Sequence, residues 1–190
     1  MAKLQFYRYF LGIKVDPRSL PFFRQLGETL GLPIRLDMLH LTLCVVAQTA
    51  QRNRFVLRRI GNALRGQQLH SFAINLSRVR VGPHGVFARS FGRQDEIQDF
   101  FRALVRLLRI HGMEPLHRTS GLHPHVTLTH RASEPALLEI ALRWFPAELL
   151  LIESEVGLSK HNVLGSWRLL PPRQPTLPFD QAAPELRRVS

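Results

Sequence analysis

The sequence contains two short segments of the same form, Leu39-His40-Leu41-Thr42-Leu43 and Pro124-His125-Val126-Thr127-Leu128. Each reads His-x-Thr-x, with an apolar residue at both x positions. Side chains alternate between the two faces of a β-strand, so each segment would turn its histidine and threonine to one face and its apolar residues to the other. A single His-x-Thr usually marks a half-buried structural histidine. Two copies in corresponding halves of one chain favour a paired site.

Around these segments the residue patterns predict alternating strands and helices. Up to residue 64 they predict strands at Gln5–Val15, Ile34–Asp37 and Leu39–Ala47, and helices at Leu20–Leu30 and Phe55–Leu64. Up to residue 110 they predict an extended stretch at His70–Val81, a turn at 82–85, a strand at Val86–Ala88 and a helix at Asp95–Ile110. Beyond it they predict a strand at His125–Thr129, a helix at Glu134–Trp144 with Ser133 as its N-cap, and strands at Glu148–Leu158 and Ser166–Leu170. Apolar residues change phase inside 70–81, which predicts a bulge near Ser77-Arg78.

The mixed order of elements and their hairpin-like joins predict an α+β fold. No glycine-rich phosphate loop follows any strand, which argues against a doubly wound nucleotide-binding fold. A chain of 190 residues with 45% hydrophobic side chains is long enough for one domain with a sizeable core. We expect that domain to span residues 1–170 and the Pro-rich, polar residues 171–190 to form a mobile tail.

The charge balance is strongly positive. Lys and Arg number 26 against 14 Asp and Glu, for a net charge of +12, and most of the excess is arginine. Such a surface attracts polyanions, and the arginine guanidinium pairs with phosphate in a bidentate fork. An arginine-rich genome would produce the same bias without any phosphate partner, and the charge alone does not separate the two interpretations.

Other features bound the cellular context. Cys44 is the single cysteine, so no internal disulfide can form. No apolar run has the length of a membrane span, and the first residues lack the apolar stretch of a secretory signal. These features predict a cytoplasmic protein without a membrane partner. We also expect the protein to be a monomer.

The paired segments suit a cyclic phosphodiester if their strands are neighbours about a pseudo-twofold axis. One neutral imidazole can take a proton from an attacking water, and a second, protonated imidazole can give one to the leaving ribose oxygen. Histidine has an ordinary pKa of about 6.5, which allows both forms near neutrality. The hydroxyls of Thr42 and Thr127 can donate to the phosphate oxygens. This chemistry requires no cofactor and no metal, and the spacing of His123, His125 and His130 matches no strong zinc pattern.

At this point the chain resembles the two-histidine (2H) phosphoesterase superfamily, and within it the LigT-like RNA 2′,3′-cyclic phosphodiesterases, also called 2′-5′ RNA ligases. The resemblance rests on residues 33–43 and 123–128, with an aromatic opening strand and the closing segment 165–169. It implies a duplicated, pseudo-twofold α+β fold, with two lobes of largely antiparallel sheet, flanking helices and a central cleft. It also implies hydrolysis of RNA 2′,3′-cyclic phosphate ends to 2′-phosphates, with a weak reverse joining reaction in some members. By position, His40 would be the proton donor and His125 the proton acceptor.

The sequence departs from the family pattern just after the second segment. The family commonly has an arginine two residues after the final leucine, and here that place is held by His130, followed by Arg131. Either side chain is a candidate phosphate ligand, Arg131 only if a bulge turns it to the face that His130 would occupy. Phe10 on the first strand is a candidate stacking partner for a terminal base.

Three functions remain open at this stage. The first is hydrolysis of 2′,3′-cyclic phosphate ends of RNA or of a small cyclic nucleotide. The second uses the same histidines on another small cyclic phosphoester, such as one derived from ADP-ribose. The third is an RNA- or nucleotide-binding module without catalysis, which two intact proton-transfer groups argue against.

Overall fold

One antiparallel sheet organises the chain, and three α-helices flank it. The computed structural model describes residues 6–116, 122–131, 134–158, 160–172 and 186–187. Its strands are β1 (Tyr7–Lys14), β2 (His40–Thr49), β3 (Ile74–Gly82), β4 (Gly85–Arg89), β5 (His125–Thr129), β6 (Ala136–Trp144), β7 (Glu148–Glu155), β8 (Lys160–Arg168) and β9 (Leu186–Arg187). Its helices are α1 (Leu20–Leu30), α2 (Arg54–Leu64) and α3 (Asp95–Ile110). None of these helices combines the length and hydropathy needed to cross a bilayer.

The strand order shows the predicted duplication. The sheet runs β8-β7-β1-β2-β5-β4-β3-β6-β9, and the two strands that carry His-x-Thr, β2 and β5, meet at its centre. Their register consists of one residue pair, Leu41 with Val126, whereas the ladders on either side are longer. Two four-stranded halves, β8-β7-β1-β2 and β5-β4-β3-β6, thus join at the two motifs. The α+β, two-lobed architecture expected from the sequence is confirmed.

The two halves also share an irregularity at the same place. On β2, Thr42 pairs with Gly12 and Cys44 with Leu11, so Leu43 is an extra residue. On β5, Thr127 pairs with Phe87 and Thr129 with Val86, so Leu128 is an extra residue. Each His-x-Thr is therefore followed at once by a β-bulge, which increases the local twist of its strand. Both bulged leucines are buried.

The core lies on the face of the sheet opposite the motif histidines. Leu41 and Val126 are fully buried there. Helix α3 covers this core with one apolar face, whose buried members are Ile97, Phe101, Leu104, Val105 and Leu108. A second, smaller apolar cluster is separate from this core and consists of Phe10, Val45, Leu150 and Ile152. Phe10 belongs to that second cluster and also stacks on the imidazole of His40.

Two predicted elements are wrong. The predicted helix at Glu134–Trp144 is strand β6, in which Ile140, Leu142 and Trp144 are buried and alternate with exposed residues. The short apolar run fits both helical and strand spacing. It forms a strand because β6 pairs along most of β3. The N-cap assigned to Ser133 lies outside the described residues. The predicted strand at Ile34–Asp37 is a loop that closes in a 3₁₀ turn at Leu36–Met38.

Other predictions differ from the structure only in their boundaries. The change of face near Ser77-Arg78 is confirmed as a register shift between Leu76 and Arg78 on the β3–β6 ladder. Strand β8 begins at Lys160, six residues before the predicted Ser166. The predicted mobile tail, 171–190, lies mostly outside the described residues. Among the tail residues that are described, Leu186–Arg187 pair with β6.

Candidate active site

The four motif side chains share the face of the sheet opposite the core. Leu41 and Val126 are paired and buried, so their neighbours in each strand point the other way. In this antiparallel register His40 lies opposite Thr127, and Thr42 lies opposite His125. By ordinary strand dimensions the Cα atoms of the two histidines are about 8 Å apart on this diagonal. The register thus brings together the two imidazoles and two hydroxyls that the sequence pattern singled out.

Each imidazole is held by the same backbone contact. His40 Nδ1 lies 2.6 Å from the carbonyl oxygen of Met38, and His125 Nδ1 lies 2.9 Å from that of His123. A carbonyl oxygen only accepts hydrogen bonds, so Nδ1 carries the proton and donates in both rings. Nε2 is therefore the nitrogen that gains or loses a proton in each histidine. The two halves present equivalent, oriented proton-transfer groups.

The turn before β2 explains how the first imidazole is oriented. The 3₁₀ turn at Leu36–Met38 directs the Met38 carbonyl toward His40 and the Asp37 carbonyl toward Lys14, whose ammonium donates to it. Lys14 is the register partner of His40 on β1 and is half-buried. Burial lowers the pKa of Lys14, while the Asp37 carboxylate opposes that effect. A cation thus lies beside the first imidazole.

The His40 imidazole packs against two other rings. Phe10 stacks on His40 with centroids 4.9 Å apart, and His161 of β8 meets His40 edge-on at 4.8 Å. Phe10 and His161 also meet edge-on at 5.6 Å. Gly12 leaves room for this packing, because a Cβ there would lie 2.9 Å from the Leu41 carbonyl oxygen and 3.2 Å from the Phe10 ring. Phe10 is only 3% exposed, so in this conformation it supports His40, and stacking on a terminal base stays a prediction.

These surroundings change the proton affinity of the first imidazole. Burial is the main cause that lowers the pKa of His40, and the charges of Lys14, His125 and His130 lower it further. The hydrogen bond to the Met38 carbonyl opposes them. Burial also lowers the pKa of His161, to about 4, so His161 is neutral near pH 7 and adds no charge next to His40. An anionic ligand in the cleft would favour the protonated form of His40.

The second motif has a simpler environment. The ring of Phe87 on β4 meets His125 edge-on with centroids 6.0 Å apart. The guanidinium of Arg89 lies over Phe87, 5.3 Å from the ring centroid, and Arg89 is the register partner of His125. Arginine and aromatic ring thus flank the second imidazole on the side away from the first.

Comparison with solved structures identifies the fold. The chain superposes on a crystal structure of E. coli LigT complexed with 3′-AMP with a TM-score of 0.66 at 17% identity, covering 86% of this chain and 98% of that one. It superposes on a phosphoesterase with a TM-score of 0.67 at 18% identity, covering 85% and 98%. The fold is that of LigT. A third structure with this fold, TT0787 of Thermus thermophilus, gives a TM-score of 0.64 at 18% identity, covering 85% and 97%. No protein-family model and no curated protein matches the sequence.

Within this LigT fold the bulge at Leu128 bears on the choice between His130 and Arg131. On a regular strand Arg131 would share the face of His125 and His130 would face away, so the faces expected for these two residues from the sequence were the wrong way round. The extra residue shifts that alternation, and the charge of His130 acts on the pKa of His40. His130 and Arg131 are both exposed, and the backbone amide of Arg131 donates to Thr129 Oγ1 at 3.2 Å. The effect of the His130 charge on His40 favours His130 over Arg131 as the side chain nearer the histidine pair, and binding of phosphate by either one stays a prediction.

The bulge at Leu43 similarly decides the position of Cys44. Strict alternation from His40 would put the thiol on the face of the histidines, but Cys44 lies in the main core. Burial raises the pKa of this thiol to about 12, so it has no nucleophilic role. Among the residues that the structure describes, no three His, Cys, Asp or Glu side chains are grouped so that they could hold a metal ion.

Lys14, His161 and Phe87 are site residues that the sequence patterns did not single out. Lys14 pairs with His40 from β1, and Phe87 pairs with Thr127 from β4. His161 meets the His40 ring from β8. Their positions depend on strand pairing across long sequence separations. For Lys14 the sequence offered one signal: it lies four residues after Phe10, so the two side chains share a face of the first strand.

Proposed function

We propose that this chain is a metal-independent phosphodiesterase that hydrolyses the 2′,3′-cyclic phosphate at RNA ends to a 2′-phosphate. One observation carries the proposal: His40 and His125 lie on one face of the sheet, each with Nδ1 bound to the carbonyl two residues before it. This arrangement leaves two Nε2 atoms for proton transfer. A binding module would need neither the second imidazole nor its matched orientation.

The proposed reaction is a single displacement at phosphorus. His125 Nε2 takes a proton from water while the water oxygen forms a bond to phosphorus. The bond between phosphorus and O3′ breaks, and His40 Nε2 gives its proton to O3′. The products are a 2′-phosphate and a free 3′-hydroxyl. His125 then releases its proton to solvent and His40 regains one. With a 5′-hydroxyl in place of water, the same displacement gives a 2′-5′ linkage and a free 3′-hydroxyl.

The threonines stabilise charge on the phosphate. Thr42 and Thr127 lie next to the opposite motif's histidine across the β2–β5 pair, and both are half-buried. Their hydroxyls donate to the two non-bridging oxygens, where negative charge increases during attack. Structures with the same fold in which E. coli LigT is complexed with 3′-AMP and with phosphate support a nucleotide-derived phosphate as the ligand of this cleft.

Turnover of a defined RNA end tests the proposal. An oligonucleotide with a 2′,3′-cyclic phosphate end is incubated with the chain in excess chelator, and the product is identified by its resistance or sensitivity to enzymes specific for 3′-phosphates. We expect a 2′-phosphate and no effect of the chelator. Turnover of an ADP-ribose-derived cyclic phosphoester in place of RNA would favour the second hypothesis from the sequence. Binding of the oligonucleotide without any turnover would favour the binding module.

The pH dependence of kcat/KM tests which histidine is the acid. The profile of kcat/KM reflects the free enzyme, in which His40 must be protonated to donate. The pKa of His40 is lowered, so we expect the alkaline limb to lie below pH ~6.5, the ordinary value for histidine. The limb of kcat should lie at higher pH, because bound phosphate raises the pKa of His40.

Lys14→Gln tests the same assignment in a second way. The Lys14 charge lowers the pKa of His40, so its removal should move the alkaline limb of kcat/KM to higher pH. The measurement is the full rate profile of both proteins at constant ionic strength. An alkaline limb that stays in place in the variant would mean that His40 is not the group that loses its proton on that side.

A further inference from the structure

A basic cavity opens beside the second imidazole. It has a volume of about 550 Å³ and lies between the end of β4, the first turns of α3 and the residues that precede β5. Its lining includes Arg89, Arg93, Arg102, Gln98, His123 and Pro124. His123 supplies the carbonyl that holds His125, and Arg89 is the register partner of His125. The cavity, called here the Arg89 cavity, therefore adjoins His125 through Arg89 and His123, on the side away from Phe10 and His161.

The arginines of the Arg89 cavity are available to an anion. Arg93 pairs with Asp95 at 2.7 Å and Arg102 pairs with Asp99, and all four side chains are largely exposed. Exposed ion pairs contribute little free energy, so a phosphate can replace the carboxylates at small cost. Within the part of the chain that the structure describes, Arg89 has no carboxylate partner, and its guanidinium lies over Phe87. Arg89 is thus the guanidinium best placed to bind phosphate next to His125.

The wall of the cavity is fixed by a two-point contact. The side-chain amide of Gln98 on α3 accepts from the backbone amide of Leu122 at 3.0 Å and donates to the Leu122 carbonyl. This contact ties α3, which carries Arg102, to the segment that leads into His125. The arginines and the imidazole are therefore held on one connected frame, and this favours a preorganised binding site over a chance group of surface charges.

An exposed aromatic ring lies in the same loop. Phe91 is 71% exposed, and it stands between the cavity residues Ser90 and Gly92. The Arg78 guanidinium lies 3.9 Å from its ring centroid, and the Phe91 backbone amide donates to Ser77 Oγ at 2.8 Å. Cations interleaved with an exposed aromatic ring are the usual surface for a single nucleic-acid strand, since phosphates contact the cations and bases stack on the ring.

We propose that the Arg89 cavity binds the RNA strand upstream of the cyclic end, with Arg89 and Arg102 on its backbone phosphates and a base on Phe91. This inference rests on the proposed function, since it assigns the polymer to one side of a cyclic phosphate held between His40 and His125. The proposed subsite predicts that an oligonucleotide is a better substrate than a cyclic mononucleotide, which has no upstream phosphate to reach the cavity.

Comparing two substrates in three variants tests this subsite. The value of kcat/KM is measured for a short RNA with a 2′,3′-cyclic end and for a 2′,3′-cyclic mononucleotide, in the native chain, Arg89→Ala, Arg102→Ala and Arg106→Ala. Arg106 is the matched control, because it is exposed on α3 one turn beyond Arg102 and outside the cavity. We expect the ratio of the two values, oligonucleotide over mononucleotide, to fall about tenfold in Arg89→Ala, as for loss of a charged hydrogen bond, and to fall in Arg102→Ala. Arg106→Ala should keep the native ratio.

Salt dependence gives a second readout. Each lost phosphate contact should reduce the slope of log KM against log salt concentration for the oligonucleotide by about 0.7. A ratio and a slope that stay native in both cavity variants would overturn the proposal, as would an equal loss on both substrates.

A direct binding measurement separates failure of this subsite from failure of the proposed reaction. If the native chain turns over neither substrate, the affinity of a fluorescent single-stranded RNA without a cyclic end is measured by anisotropy in the same four proteins. Weaker binding in Arg89→Ala and Arg102→Ala alone would support the subsite even so. Equal affinity in all four proteins would overturn it.

Discussion

His40→Ala and His125→Ala should each lower kcat on a 2′,3′-cyclic-ended oligonucleotide by about 10²–10⁴-fold, the usual contribution of a positioned acid or base. The free Nε2 of each ring is oriented by the Nδ1 contact to Met38 or His123, so no other imidazole can take over in the same geometry. The double variant should lose little more than the worse single variant, because the two proton transfers belong to one step. His84→Ala is the control, since His84 is an exposed histidine in the β3–β4 turn.

A change of leaving group separates the two roles. In a phosphodiester with a p-nitrophenolate leaving group, that group departs without needing a proton. On this substrate His40→Ala should regain most of the native activity, whereas His125→Ala should regain little. Full activity of either single variant on the oligonucleotide would contradict the two-histidine mechanism. Rescue of His125→Ala instead of His40→Ala would exchange the assigned roles.

Gly85→Ala should have the largest effect among changes outside the imidazoles. Gly85 has φ of 123°, and a Cβ there would lie 2.4 Å from the Thr129 carbonyl oxygen and 3.1 Å from His130 Cα. The left-handed backbone alone costs about 1–3 kcal/mol for another residue, and the contact with Thr129 adds to that cost. Relief requires the end of β5 to move, just beyond the bulge that follows the second motif. We therefore expect a lower free energy of unfolding together with a large fall in kcat.

Gly82→Ala is the matched control for that change. It lies at the other side of the same β3–β4 turn, and a Cβ there would meet nothing within 4 Å. Its effect on the free energy of unfolding should stay within about 0.5 kcal/mol. Thermal unfolding and turnover are measured for both variants. Equal stability and activity of the two would mean that the approach of Gly85 to Thr129 does not hold the second motif in place.

The sequence was sufficient for the features that depend on local alternation. Within each motif, the parity of His40 with Thr42 and of His125 with Thr127 survives in the structure, because both bulges come after the threonine. Cys44 shows the limit of that argument, since one extra residue moved it to the core. Strand β6 shows another limit, because its partner β3 decided between two periods that the sequence fits about equally.

Features that depend on register between distant strands could not be predicted. Lys14 reaches His40 only because two bulges set the pairing of β1 with β2. His161 reaches His40 from β8, and both β7 and β1 lie between their strands in the sheet. The predicted start of this strand at Ser166 excluded His161. The Arg89 cavity combines β4, α3 and the residues before β5, and no local pattern links those segments.

The single backbone pair at the centre of the sheet has a consequence for symmetry. A site on a twofold axis needs only one His-x-Thr from each half, so a homodimer of one half would already contain two imidazoles and two hydroxyls. In such a dimer every substitution would alter both imidazoles together, and the proton donor and acceptor could not differ. One continuous chain removes that constraint. Here the rings of Phe10 and His161 enclose one imidazole, and Phe87 with Arg89 flanks the other, so a symmetric frame carries two chemically distinct histidines.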